Sequence, residues 1–229
     1  MDRSRGGLAR GLGSGFVAVA VVAASVMVGS DDAQARFRRH RNTGGGYQPA
    51  YAAIVVDANS GQTLHAASPD SPRHPASLTK IMTLYLLFEQ IEAGKLKLDS
   101  RLPVSAHAAV QAPTKLGLAA GSTLAVEDAI KGMVTKSAND AAVVVAEAIG
   151  GSEEDFGKLM TRKARSLGMS RTTYVNASGL PDDEQITSAR DQAILGRAIQ
   201  ERFPRYYGYF ATPSFTYRGV AMRNHNRPR

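Results

Sequence analysis

The chain has 229 residues, 43% of them hydrophobic, which suits a single domain with a sizeable core and is too apolar for a disordered chain. Its formal charge of +8 favours anionic partners, and the absence of cysteine excludes a disulfide framework, a thiolate metal site and a cysteine nucleophile. Aromatic residues are few and scattered, with no stacking platform and no basic stripe along a helix, so nucleic acid is not an expected partner.

The N-terminus carries Arg3, Arg5 and Arg10, then the apolar run 15–29, then Ala33-Gln34-Ala35. A basic start, a short apolar stretch and a small-x-small site make a signal peptide, so residues 1–35 are expected to be removed and the protein to be exported to the periplasm. The run is short for a bilayer span, and no stable membrane anchor is expected after cleavage. Residues 36–50 are first basic and then Gly-rich, and read as a linker. The domain is expected from residue 51 onward.

Segment 51–57 is rich in β-branched residues, Asn59-Ser60-Gly61 signals a turn, and 62–67 returns, which predicts a β-hairpin. A loop with Pro69, Pro72 and Pro75 follows. Residues 77–92 read as a helix apolar on nearly all sides, the pattern of a helix buried mid-domain. Further helices are predicted at 126–135, 139–149, 153–167 and 188–202, with Ser152/Asp155 and Ser188/Asp191 at capping-box spacing. Short strands are predicted at 172–176 and 214–219. A hairpin, a run of helices and at most one more strand point to an α+β fold with segregated helices.

The chemistry-bearing constellation begins with Ser77-Leu78-Thr79-Lys80. On a helix, residues i and i+3 share a face, so the lysine amine can approach the serine hydroxyl. A serine becomes a nucleophile when a base takes its proton, and a lysine serves as that base when burial or a nearby cation lowers its pKa. A helix N-terminus adds a positive field that favours a developing oxyanion. Alone the tetrapeptide is weakly specific, and a serine at a helix N-cap is the bland reading. Ser137-Ala138-Asn139, between two predicted helices, adds weight. A second serine can relay a proton, and an asparagine can accept from the lysine while donating to a substrate amide.

With these motifs in place, the chain resembles the serine-type D-Ala-D-Ala carboxypeptidases, the low-molecular-mass penicillin-binding proteins. The matching segments are PASLTKIMT (75–83), TKSANDAA (135–142), YVNASGLPDDEQITSARD (174–191), FPRYYGYF (203–210) and FTYRGVAMRNHN (215–226). The resemblance implies a β-lactamase/DD-peptidase-like fold over 51–229. It implies that Ser77 is acylated by the penultimate D-alanine carbonyl of a peptidoglycan stem peptide, with Lys80 as base. Ser137 would be the third catalytic residue and Asn139 would bind substrate. β-Lactams would trap the same serine, and no metal or organic cofactor is implied.

Family members carry a third motif, Lys-Thr-Gly, after the segment that is here Asn224-His225-Asn226. Lys-Thr-Gly occurs nowhere in this sequence, and Lys115-Leu116-Gly117 lies in the wrong region. The expectation is therefore a truncated domain whose later sheet strands are missing and whose activity is impaired. Two alternatives remain: a class A β-lactamase-like hydrolase, which needs a deacylating glutamate in an E-x-x-L-N setting that the sequence lacks, and a non-catalytic, vestigial wall-binding protein. His65, His74 and His107 have no metal spacing, and Asp140 reads as a helix-start charge.

Overall fold

Strands β1 (Ala53–Val56) and β2 (Thr63–Ala67) pair antiparallel, Ala53 opposite Ala67 and Ile54 opposite Ala66, with an irregularity between Val55 and Val56. The protein is described from a computed structural model over residues 51–224, so the proposed leader and linker lie outside the described residues. Asp57 closes the hairpin turn: its Oδ1 accepts from the Ser60 amide and hydroxyl, both at 2.7 Å. The next loop is tied to the far end of the domain. Arg190 donates to both carboxylate oxygens of Asp70 at 2.8 and 2.9 Å, and the Arg73 and Thr187 backbones exchange two bonds of 2.8 Å.

A 3₁₀ turn, Ala76–Leu78, leads into α1 (Thr79–Glu92). Met82, Leu84, Leu87 and Phe88 on α1 are at most 2% exposed, as the all-round apolar pattern demands. Strands β3 (Arg101–Pro103) and β4 (Thr123–Ala125) form a second antiparallel pair that buries Leu102 against Leu124, and they flank the short α2 (Ala106–Ala109). Then come α3 (Val126–Lys136), α4 (Asn139–Gly150), α5 (Glu153–Ser166) and α6 (Ala189–Arg202). On α4 every residue from Asn139 to Ala146 is buried. Helix α1 packs on α4, α5 and α6, and this is the core of the domain. Phe203, just before α7 (Pro204–Tyr207), closes it by edge contacts with Tyr85 and Phe88. Strands β5 (Ser214–Tyr217) and β6 (Val220–Arg223) make a third hairpin about Arg218-Gly219. Both turn residues have positive φ, which suits the right-handed twist of a two-residue hairpin.

The α+β architecture with a helical cluster matches the sequence pattern, and both predicted caps form: Ser152 Oγ accepts from the Asp155 amide and Ser188 Oγ from the Asp191 amide, each at 3.1 Å. Besides β3, β4 and β6, strands that the sequence pattern did not predict, three details differ. The α-helix starts at Thr79 rather than Ser77, because residues 76–78 wind as a 3₁₀ turn and Ser77 makes no cap bond. Residues 172–176 are not a strand. Their amides are taken by side chains, Tyr174 N by Thr161 Oγ1 and both Val175 N and Asn176 N by Gln185 Oε1, leaving one isolated bridge between Thr173 and Ile186. The strand at 214–219 ends at Tyr217, where the hairpin turns. Among the described residues no helix is long and apolar enough to cross a membrane.

One close approach fixes the 3₁₀ turn. Gly179 has φ +85°, and a Cβ built there would lie 1.8 Å from the Ala76 carbonyl oxygen. Only glycine fits both the backbone angle and the space. Gly179→Ala is expected to cost about 3 kcal/mol, the sum of αL strain and forced displacement of a packed backbone. Urea denaturation checks this, and a loss below about 1 kcal/mol would contradict the tight packing.

Candidate active site

The 3₁₀ turn exposes the Ser77 hydroxyl at the floor of a cleft of about 350 Å³, lined also by Leu78, Lys80, Thr135, Ser137, Phe210 and Asn224. The residue before it, Ala76, has φ +46°, a left-handed conformation that an L-alanine adopts at a cost of about 1–2 kcal/mol. Opposite stands Ser137, the C-cap of α3, also left-handed at φ +58°, ψ +40°. This reversal aims its side chain back across the cleft, and Ser137 Oγ donates to Ser77 Oγ at 2.9 Å. The two serines, 60 residues apart in sequence, are in direct contact.

Lys80, in the first turn of α1, is 3% exposed. Its Nζ donates to Asn139 Oδ1 at 2.8 Å and to the Ser178 carbonyl at 2.5 Å. Burial disfavours the ammonium and pushes its pKa down to about 8. No hydrogen bond joins Lys80 Nζ to Ser77 Oγ, in contrast to the approach expected from the i, i+3 spacing. Both side chains line the same cleft, and the ammonium is turned to Asn139 and the Ser178 carbonyl instead.

Asn139 opens α4, and both ends of its amide are engaged. Oδ1 faces the lysine, and Nδ2 donates to the Ala112 carbonyl at 2.8 Å. One of the two amide N–H donors is thus tied to the loop at 112–118, and the second has no partner among the described residues. That loop is stapled at five more points: Asn139 N to Thr114 O at 2.8 Å, Thr114 Oγ1 to Ser137 O at 2.9 Å, and three loop amides to the Asp140 carboxylate. Asp140, read from sequence as a helix-start charge, is fully buried and accepts from the amides of Leu116, Gly117 and Leu118 at 2.9–3.1 Å, besides its own helix's Ala141 N.

The structure brings Ser77, Lys80 and Ser137 to one cleft, with Asn139 buried behind Lys80 and bonded to it. Sequence reasoning missed the acceptor on the other side of Lys80, the Ser178 carbonyl, because a backbone carbonyl has no side-chain signature. The only textual hint was the turn-forming Asn-Ala-Ser-Gly at 176–179. There Asn176 Oδ1 accepts from the Gly179 amide at 2.7 Å, and Thr83 on α1 donates to the Ala177 carbonyl at 2.7 Å. Of the histidines, His107 pairs with Glu153 at 2.8 Å and His74 bonds the Gln185 carbonyl at 3.0 Å, while neither lines the cleft.

Residues 45–229 match the Peptidase S11 family, D-alanyl-D-alanine carboxypeptidase. The chain belongs to this family. It is 35% identical over 184 residues to D-alanyl-D-alanine carboxypeptidase DacC of Escherichia coli, a match covering 78% of this chain and 46% of that protein. It is 36% identical over 150 residues to DacF of Bacillus subtilis, covering 66% and 39%. The crystal structure of the carboxypeptidase DacD from Francisella tularensis superposes with a TM-score of 0.73 at 35% identity, covering 78% of this chain and 43% of that one. The chain thus spans less than half the length of these curated relatives.

The buried ammonium has a thermodynamic consequence whose sign is fixed. Its folded pKa, about 8, lies below the unfolded value of 10.5. Below pH 8 both states bind the proton and the burial penalty is full; above 10.5 both are neutral and it vanishes. Lys80's contribution to stability therefore rises with pH between about 8 and 10.5, by up to about 3 kcal/mol. Urea denaturation of the protein and of Lys80→Met over this range is expected to give a difference that narrows as pH rises. Parallel curves would contradict a depressed lysine.

Proposed function

We propose that this chain carries the acylation chemistry of a serine-type D-Ala-D-Ala carboxypeptidase, exported to the periplasm and acting on peptidoglycan stem peptides. The observation that carries the reading is the contact of Ser137 Oγ with Ser77 Oγ at 2.9 Å beside a buried lysine of lowered pKa. Neutral Lys80 is the base, and Ser137 bridges it to the nucleophile. Ser77 Oγ loses its proton through this route and bonds to the penultimate D-alanine carbonyl carbon. The tetrahedral adduct collapses, the C–N bond breaks, and the proton returns through Ser137 to the leaving D-alanine amine. Water then hydrolyses the Ser77 ester. Asn139 holds Lys80 in place, and its second amide N–H is the donor it offers substrate.

A β-lactam carbonyl meets the same serine and leaves a stable ester. That agrees with a relative in this fold, the penicillin-binding protein D2 of Listeria monocytogenes, solved in an ampicillin-bound form (31% identity, TM-score 0.65, covering 79% of this chain and 74% of that one). No carboxylate lines the cleft among the described residues, which disfavours the β-lactamase reading, since that reaction needs a glutamate to activate the deacylating water.

Fluorescent penicillin tests the proposal. Covalent labelling at Ser77 is expected, abolished in Ser77→Ala and reduced at least about 100-fold in Lys80→Met. The labelling rate should climb with pH and level off above about 8, as the lysine loses its proton. Absence of label on folded protein, or label that persists in Ser77→Ala, would sink the reading.

A further inference from the structure

Beside the cleft lies a larger groove of about 680 Å³, lined by Lys115, Leu116, Lys136, Val220–Arg223 and Asn224. Asn224 lines both, so the two are adjacent. Three cations line the groove and no carboxylate does. Five basic residues elsewhere, Lys131, Lys158, Lys163, Arg190 and Arg197, each lie within 2.9 Å of a carboxylate oxygen, whereas the groove brings three cations together with no carboxylate among its lining. Lys115, Lys136 and Arg223 have no ion-pair partner among the described residues.

All three rest on supports that are themselves fixed to the catalytic cleft. Lys136 precedes Ser137. Lys115 sits between Thr114, which bonds Ser137 O, and the three amides clamped by the Asp140 carboxylate. Arg223 ends β6 next to Asn224, whose amide and side chain bond Pro213 O and Thr212 O at 2.9 and 2.8 Å. A solvated surface cation needs no such anchoring. Lys136 alone could be explained as a cation complementing the C-terminus of α3, but that account does not reach Lys115 or Arg223.

We propose that this groove binds the carboxylate-bearing side chains of an acidic peptide, so that the enzyme selects stem peptides whose acidic side chains are free over those in which they are amidated. The inference rests on the peptidase reading of Ser77. The groove's volume suits several residues rather than one small anion. Exposed charge pairs contribute little singly, so three together are expected to yield about a tenfold preference.

Binding is measured on Ser77→Ala, so that turnover plays no part, by fluorescence polarisation. The ligands are a labelled peptide ending in D-Ala-D-Ala with free acidic side chains, the same peptide with those side chains amidated, and poly(glycerol phosphate). The acidic peptide is expected to bind about tenfold tighter than the amidated one, and the preference should fade at about 0.5 M salt. Combining Lys115→Gln, Lys136→Gln and Arg223→Gln should reduce it to under about twofold. Equal binding of the two peptides by the Ser77→Ala protein overturns the proposal without recourse to the triple variant. So does a preference that survives the triple variant, or tight binding of the phosphate polymer through these cations without peptide discrimination. Penicillin labelling of the unaltered protein reports separately on Ser77, so failure of the groove and failure of the peptidase reading are distinguishable.

Discussion

A lysine ammonium buried to 3% exposure and held by two oxygens constrains everything around the cleft. Taking a charge out of water is costly, and the cost is tolerable only where acceptors stand at hydrogen-bond distance. Here the acceptors come from α4 and from the loop at 178, parts of the chain 59 and 98 residues from the lysine. Removing either leaves a partly unpaired buried charge, a loss larger than that of an ordinary hydrogen bond. The arrangement is also incomplete by ordinary standards, since a lysine has three donors and only two are engaged by these oxygens. Burial wins over the stabilisation from the two bonds, and the net result is a pKa lowered to about 8.

The two acceptors need fixed supports, and much of the surrounding polar architecture supplies them. Asn139 is locked by Ala112 O, and the loop bearing Ala112 is locked in turn by Asp140 through three amides. On the other side, Asn176 and Gln185 take the amides of the 175–179 turn, while Gly179 lies against the Ala76 carbonyl and Thr83 holds Ala177 O. One turn thus positions both the lysine's acceptor and the backbone that carries Ser77. The left-handed Ala76 and Ser137 are the strained points of this frame, each immediately before or at a serine of the cleft. Strain of about 1–2 kcal/mol at each persists because the neighbouring bonds over-determine the backbone.

Side-chain chemistry was legible in the sequence, and backbone chemistry was not. The apolar run Met82–Phe88 announced a buried helix, and Ser152 and Ser188 announced helix starts, because these signals reside in residue type and period. The hairpin partner β6 and the three-residue strands β3 and β4 are too short to display a period of two, and tertiary pairing alone defines them. At 172–176 the β-branched composition misled. Gln185 and Thr161 offered the backbone amides side-chain partners, and hydrogen bonding is satisfied without a ladder. The candidate site followed the same rule. Ser77, Lys80, Ser137 and Asn139 could be named from spacing and resemblance, whereas the carbonyls of Ser178 and Ala112 became visible only with the fold.

The geometry also bears on how a proton would travel in the proposed reaction. Lys80 bonds Asn139 and Ser178 in the resting arrangement and makes no bond to Ser77 or Ser137, so its amine must turn toward the serines before either route to the nucleophile operates. Ser137 does touch Ser77. A hydroxyl donates one hydrogen bond and accepts two, and its hydrogen rotates freely, so Ser137 can reverse its role and accept the nucleophile's proton once the lysine side is neutral. With a pKa near 8, about a tenth of the lysine is neutral at pH 7, enough to sustain the step and close enough to operating pH to give the proton back. A fully solvated lysine, with its pKa about 2.5 units higher, would be neutral roughly 300-fold less often. The burial that costs the fold stability is therefore the same property that makes Lys80 a usable base, and the acceptor shell from Asn139 and Ser178 sets how far that trade can go.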